Sequence, residues 1–291
     1  MALFHAISVV PSVERALALA DALDLMDPAP LATETLDHDD GSGRWDAGGI
    51  FEGRPDEVAL SLLAKMSGAA NFRVTRIEEK DWVSQVRSEL TPVSAGRFVV
   101  FGSHDRSKIP VNRIGLEIEA AQAFGTGHHA TTQGCLMALD LLARRGSVVR
   151  NVADIGGGTG VLAMAAVALW RCAALAGDID PVATKTAREN VKANGFASYV
   201  RCVTAAGTHH PEFAERAPFD LICANILAGP LKKMAPQIAA HQRFGGGLVL
   251  SGLLARQTPA VERVYQGWGY RRTARFDIGD WRTLMLVRAA S

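Results

Sequence analysis

The stretch that most constrains this chain is Asn151 to Ala165, NVADIGGGTGVLAMA. A short apolar strand, ending at Asp154-Ile155, runs into glycines at 156, 157, 158 and 160. An almost wholly apolar helical run, Val161 to Trp170, follows at once. A strand that must turn tightly into a helix needs residues free to adopt positive φ, and glycine does so without a steric penalty. The same turn lets the backbone approach a ligand closely and sets its amides at a helix start, where they are expected to point outward. A glycine-rich turn with a structural role alone is the competing explanation. Four glycines at one strand-to-helix junction weigh against it.

The chain from Thr131 onward repeats this alternation. Strands are expected at Val149 to Ile155, Ala173 to Ile179, Val200 to Thr204, Phe219 to Ala224 and Gly247 to Ser251, with two more at Arg271 to Ile278 and Trp281 to Val287. Helices are expected at Val161 to Trp170, Pro181 to Asn194, Leu227 to Ala240 and Gln257 to Gly267. Strands alternating with helices imply an α/β fold with a doubly wound, mainly parallel sheet, here of seven strands. The runs VADI and LICA suit strands buried on both faces.

The first eighty residues have a different rhythm. Leu3 to Val10 reads as a strand and Val13 to Leu25 as a helix capped by Ser12. Pro30 to Asp37 and Arg44 to Phe51 read as two strands joined by HDDGSG, His38 to Gly43, which has hairpin-turn chemistry. Pro55 to Met66 reads as a helix and Phe72 to Ile77 as a strand. The order βαββαβ is that of a small α+β ferredoxin-like domain. Charged residues from Ile77 to Glu89, with Trp82, Val83 and Val86 at helical spacing, suggest a connecting helix. Short strands at Phe98 to Phe101 and Arg113 to Ile118 follow. The domain organisation is therefore 1–77 ferredoxin-like, 78–95 linker helix and 96–291 doubly wound.

Bulk properties narrow the function classes. The formal net charge is +1, so no global field recruits nucleic acid or an anionic membrane. The four cysteines, at 135, 172, 202 and 223, form no CxxC pair, which argues against a zinc finger or ribbon. They read as single buried thiols in a reducing compartment. The N-terminus lacks a basic flank before its apolar run, and Pro11, Glu14 and Arg15 interrupt that run. No signal peptide is expected, and the chain reads as soluble and cytoplasmic.

Three motifs carry chemistry. Gly156 and Gly158 fit a G-x-G-x-x-G fingerprint, but position 161 is Val. The pattern from Asp154 to Gly160 is D-x-G-x-G-x-G, the form that opens the sheet of S-adenosylmethionine-dependent methyltransferases. Asp178 closes the second strand, 22 residues after Gly156. A carboxylate there can accept from both hydroxyls of a ribose. Asp180, followed by Pro181, reads instead as a helix cap. Asn225 ends the buried strand FDLICAN, at the sheet edge where open α/β folds bind ligands. It is followed by Ile226-Leu227-Ala228, not by the proline pair and aromatic of many amino-methyltransferases, which counts against a flat base amine or glutamine amide as substrate.

AFGTGHHATT (123–132), D-x-G-x-G-x-G, GDIDPVA (177–183) and ANILAGPL (224–231), in this order and spacing, closely resemble the ribosomal protein L-eleven methyltransferase family. The E-x-K-D-W segment at Glu78 to Trp82 and the closing W-R-T-L at Trp281 to Leu284 match as well. The resemblance implies a protein N-methyltransferase that moves methyl groups from S-adenosylmethionine to lysine or N-terminal α-amines of large-subunit ribosomal protein eleven. It implies that the first domain grips that protein, free or on the ribosome, and that the enzyme works as a monomer without direct nucleic-acid recognition. Carried over residue by residue, cofactor contacts fall on Thr132, Gly156, Asp178 and Asn225; Gly158 in the same turn and Phe124 are expected to join them, and Asn225 is the candidate to orient the amine. Gly157 and Ala130 depart from residues frequent in the family at those positions.

On that basis AFGTGHHATT is the loop and helix start that close over the methionine end of the cofactor. The adjacent His128 and His129 invite a metal, but neighbouring histidines usually point apart, and no carboxylate or third histidine lies at ligand spacing. No metal site is assigned. The rival readings are a methyltransferase of another protein's lysines, a nicotinamide-dependent oxidoreductase, and a non-catalytic ribosome-assembly or RNA-binding protein. Val161 and the ANIL segment argue against the oxidoreductase. Near-neutral charge and the lack of clustered aromatics on Leu3 to Val10 or Phe72 to Ile77 argue against RNA binding.

Overall fold

Residues 3–24, 26–30, 32–38, 42–77, 92–118 and 128–289 are described in the computed structural model. They fall into two units, Met1–Gln85 and Val86–Ser291. In the first, β1 (Leu3–Val10), α1 (Val13–Leu23), β2 (Ala32–Asp37), β3 (Trp45–Glu52), α2 (Glu57–Ser67) and β4 (Arg73–Ile77) follow in chain order. The strands make one antiparallel sheet, β2-β3-β1-β4, which is the ferredoxin-like arrangement. Alternation along β1 sends Ala6 and Val10 to the helix side. Ala6 packs with Leu23, Phe51 and Leu60, and Val10 with Ala16, Leu19 and Ala47. Helix α1 starts where Ser12 accepts from the Arg15 amide. Helix α2 starts two residues later than the proline suggests, because Asp56 takes the cap and accepts from Val58 and Ala59. The connecting helix expected over 78–95 falls mainly on residues 78–91, which lie outside the described residues.

The second unit opens with β5 (Val93–Ala95), β6 (Phe98–Phe101) and β7 (Ile114–Glu117), a three-stranded sheet in that order. Strand β5, which the sequence reading left inside the linker, pairs antiparallel with β6. The short turn of 3-10 helix at Ser103–Lys108 is also absent from the sequence reading. Helix α3 (His128–Arg144) then leads into the main sheet. Its buried Asp140 accepts from Arg97 Nε at 2.5 Å and Arg144 Nε at 2.9 Å, which ties α3 to the small sheet.

The main sheet holds β8 (Asn151–Ile155), β9 (Ala173–Asp178), β10 (Val200–Thr204), β11 (Phe219–Asn225), β12 (Gln242–Leu254), β13 (Tyr270–Ile278) and β14 (Trp281–Arg288). Their order is β10-β9-β8-β11-β12-β14-β13. The first five are parallel, and β14 enters antiparallel between β12 and β13. The connecting helices are α4 (Val161–Trp170), α5 (Pro181–Ala193), α6 (Pro211–Arg216), α7 (Ala228–His241) and α8 (Thr258–Gln266). Successive strand residues enter opposite faces of the sheet. Val152, Leu221, Cys223 and Val249 join one core with Leu136, Leu139 and Met164. Ala153, Ile222, Ala224 and Leu250 join the other with Phe213, Leu231 and Val261. Burial on both faces explains why these strands read as unbroken apolar runs.

Candidate active site

From β8 the chain winds outward through β9 to β10, then crosses to β11 on the other side of β8 and winds outward again. The strand order therefore reverses between β8 and β11, and a crevice opens beyond their carboxyl ends. A cleft of about 470 Å³ occupies that place. That volume is within the range of about 300–1,000 Å³ usual for small-molecule sites. Gly156 follows β8, Asp178 ends β9 and Asn225 ends β11, and all three line the cleft. Three residues separated by up to 69 positions (225 − 156) thus meet because three strands end side by side.

The glycine turn is built as its sequence requires, with one correction. Gly156, Gly158 and Gly160 have φ of 67°, 52° and 76°, where any other residue would be strained. Gly157 lacks a positive φ, and a Cβ there would meet Ala176 Cβ at 3.3 Å, nearly enough room for a small side chain. The turn's amides do not point outward as expected. Those of Gly156 and Gly157 both donate to Gly177 O, at 2.8 and 3.0 Å, and that of Gly160 donates to Gly157 O. Gly158 N–H donates to Asp178 Oδ2 at 2.8 Å. The amides lock β8 to β9; Gly156 offers the cleft its bare Cα, while Gly158, expected as a cofactor contact, is tied to Asp178 and does not line the cleft.

Asp178 is half-buried at the cleft wall. Its second oxygen accepts from Asp180 N–H at 3.0 Å. A carboxylate has about four acceptor positions, so about two remain for a ligand. Asp180 caps α5 as expected, accepting from Val182 N–H at 2.8 Å with Pro181 in the first turn. Next to Asp178 stands Ile179, which is 73% exposed, and two residues beyond Asn225 stands Leu227, which is 69% exposed; both line the cleft. Each offers an exposed apolar face to a ligand in the cleft. The sequence reading did not single out either one.

Asn225 meets the start of α3. Its Nδ2 donates to Thr131 Oγ1 at 3.3 Å and Thr132 Oγ1 at 3.5 Å. With the amide nitrogen so engaged, the carbonyl oxygen is the atom of Asn225 left to accept from a ligand. Both threonines are buried and both hold Asn225, but of the two it is Thr131, not Thr132, that lines the cleft. Gly252 and Trp281 complete this end of the wall. Phe124 lies outside the described residues, as do the side chains of His128 and His129. His210 caps α6 by accepting from Glu212 N–H.

Beneath the turn lies Asp154, 1% exposed, a group to which the sequence reading gave no role. One oxygen accepts from Ala163 N–H at 3.0 Å, and the other has no partner among the described residues. Burial, with a smaller push from the Asp178 charge, raises its carboxyl to about 7 against the Ala163 hydrogen bond. The four cysteines are free and buried. Burial lifts Cys135 to about 12 and Cys172 and Cys202 to about 11, so none is a thiolate nucleophile near neutrality. Among the described residues no group of three or more His, Cys, Asp or Glu could hold a metal ion.

The model of one protein family, described as ribosomal protein L11 methyltransferase, matches residues 50–289. The chain belongs to that family. The family member of Bradyrhizobium diazoefficiens is 44% identical over 248 residues, 84% of each chain. That of Sinorhizobium fredii is 42% identical over 286 residues, covering 96% of this chain and 98% of its own. A crystal structure of the ribosomal protein L11 methylase of Lactobacillus delbrueckii subsp. bulgaricus superposes with a TM-score of 0.57 at 27% identity. It covers 69% of this chain and all of its own. The family and the doubly wound sheet make this chain a methyltransferase, with its cleft where that fold binds ligands.

Proposed function

We propose that the chain transfers methyl groups from S-adenosylmethionine to lysine side chains, N-terminal α-amines or both, on ribosomal protein L11. One observation carries the assignment of the site: Gly156, Asp178 and Asn225 of three separate motifs line one cleft at the switch point of the sheet. The residues present fit an adenosyl donor. Asp178 has acceptor positions for two ribose hydroxyls, the exposed Ile179 beside it offers an apolar face for the purine, and the bare Gly156 backbone admits close approach. Thr131 and Asn225 stand at the opposite end, where the methionine part would reach, and Thr132 acts there by holding the Asn225 amide. Phe124 is assigned to the same end by resemblance.

When bound, S-adenosylmethionine supplies an electrophilic methyl group on a sulfonium. The chain's task is to present a neutral amine in line with it. A lysine with a pKa near ~10.4 is neutral in fewer than about one molecule in a thousand at pH 7, an α-amine near ~8 in roughly one in ten. An apolar wall of Ile226, Leu227, Pro230 and Met234 strips water from an incoming amine and so favours its neutral form. Asn225 Oδ1 can accept a hydrogen bond from that amine and fix the direction of its lone pair. Positioning then supplies most of the acceleration. We further place the reaction in the cytoplasm, on ribosomal protein L11 free or ribosome-bound. The enzyme acts as a monomer without direct nucleic-acid recognition, and its first domain, 1–77, grips the substrate.

The test is intact mass of purified ribosomal protein L11 after incubation with the enzyme and S-adenosylmethionine, with Asp178→Ala as control. Mass gains in steps of one methyl, absent in the control, are expected. No gain despite donor binding by calorimetry would move the substrate to another protein. The absence of both mass gain and donor binding would overturn the methyltransferase assignment of the cleft.

A further inference from the structure

Strand β14 carries W-R-T-L, a segment to which the reaction described so far gives no work. Trp281 lines the cleft, but Thr283 points elsewhere: it is 2% exposed and its hydroxyl lies 2.7 Å from Ser251 Oγ. Ser251, on β12, is fully buried and is the register partner of Asn225 on β11. The Ser251 hydroxyl donates to Thr131 O at 3.2 Å. Its single proton is thereby committed, so Thr283 is the donor in the pair. The chain of bonds runs from the Thr283 hydroxyl to Ser251 Oγ, and from the Ser251 hydroxyl to the Thr131 carbonyl. Thr131 and its neighbour Thr132 are the residues whose hydroxyls take the Asn225 amide. Helix α3 is seated tightly here: a Cβ on Gly134 would come closer than 3.0 Å to Thr283 Oγ1.

A buried site of this kind is filled more cheaply by valine and alanine, since every buried hydroxyl must find a partner. A satisfied polar chain does what an apolar one cannot: it is directional and selects one arrangement of the groups it joins. We propose that Ser251 and Thr283 are positioning residues for the methyl transfer. They pin the first turn of α3 to the sheet through Thr131 and so set which way the Asn225 amide faces. The inference rests on the reading of Asn225 as the group that orients the amine.

The experiment uses the full chain with ribosomal protein L11 as substrate, comparing Ser251→Ala, Thr283→Val, Thr283→Ser, Asn225→Ala and the double variant Ser251→Ala/Asn225→Ala. Melting temperature, donor affinity by calorimetry, and kcat are measured for each. Ser251→Ala and the near-isosteric Thr283→Val are expected to lower kcat by roughly ten- to a hundredfold, the scale of a small misplacement, with donor affinity little changed. Thr283→Ser, which keeps the hydroxyl and loses the methyl, is expected to retain most of the rate. In the Asn225→Ala background Ser251→Ala should add nothing further. Additive losses in the double variant would overturn the proposal, as would equal losses in Thr283→Ser and Thr283→Val. If Asn225→Ala lowers kcat while Ser251→Ala does not, the positioning role alone fails. If Asn225→Ala leaves kcat unchanged, the reading of Asn225 fails and takes the inference with it. Should Ser251→Ala not fold, the two Thr283 variants decide.

Discussion

Asp154 shows what a single buried group imposes on the molecule. Its carboxyl ordinarily releases its proton near 3.8 and in the folded chain does so near 7, chiefly because burial disfavours the charge. Between those values the unfolded chain has lost a proton that the folded chain keeps. Stability therefore falls as pH rises through that window, by at most ~1.4 kcal/mol per pH unit, and is level on either side. The variant Asp154→Asn removes the titration while keeping a side chain of the same shape. Its stability relative to the parent is expected to rise from pH 5 to pH 8, read from denaturant melts at both. Parallel profiles for the two proteins would show that Asp154 is not the titrating group.

The element that decides the site is the turn from β11 into α7, residues Asn225-Ile226-Leu227. It is held between two glycines. A Cβ on Gly156 would come closer than 3.0 Å to Ile226 Cγ2, and one on Gly252 would do so to the Ile226 backbone oxygen and carbon. Gly252 also has a φ of 78°. Gly252→Ala must therefore both strain its own backbone and push Ile226, and Asn225 with it, off the sheet end. Gly245 has a φ of 73° but nothing within 4 Å of its Cβ position. Gly245→Ala is expected to lose only about 1–2 kcal/mol from the left-handed conformation. Gly252→Ala should lose more than that, and donor affinity with it. Thermal melts and calorimetry on the two variants check this, and equal losses would mean that Ile226 yields freely.

At the scale of the molecule, each of the two units carries its own core. The first is built on Ala6, Leu23, Phe51 and Leu60, and the second on the two faces of the main sheet. Each can therefore keep its shape without the other. Every described residue of the cleft belongs to the second unit. A chain beginning at Val86 is expected to bind S-adenosylmethionine as the full chain does and to lose most methylation of ribosomal protein L11. Calorimetry and intact mass read the two properties separately. Full methylation by the shortened chain would show that the first domain does not grip the substrate. No helix among the described residues is long and apolar enough to cross a membrane.

Local pattern carried a large part of this protein. The glycines at 156, 158 and 160 announce a turn with positive φ, because no other residue adopts it cheaply. The unbroken apolar runs VADI and LICA announce strands covered on both faces, and Asp180-Pro181 announces a helix start. From these the doubly wound sheet, and the meeting of Gly156, Asp178 and Asn225 at its edge, could be read along the chain. Other features depended on residues far apart. Strand β5 is only three residues long and exists because β6 pairs with it. Only the start of α3 is legible in AFGTGHHATT; its length, to Arg144, is not, since Thr131, Thr132 and Gly134 also suit a loop. Gly134 is small there because Thr283, 149 positions later (283 − 134), packs against it. Which threonine faces the cleft, where the glycine amides turn, and how deeply Asp154 is buried were likewise decided in space. A turn or a helix cap is settled by the backbone preferences of a few neighbours. A hydrogen bond or a burial is settled by whichever distant side chain the packed sheet brings alongside.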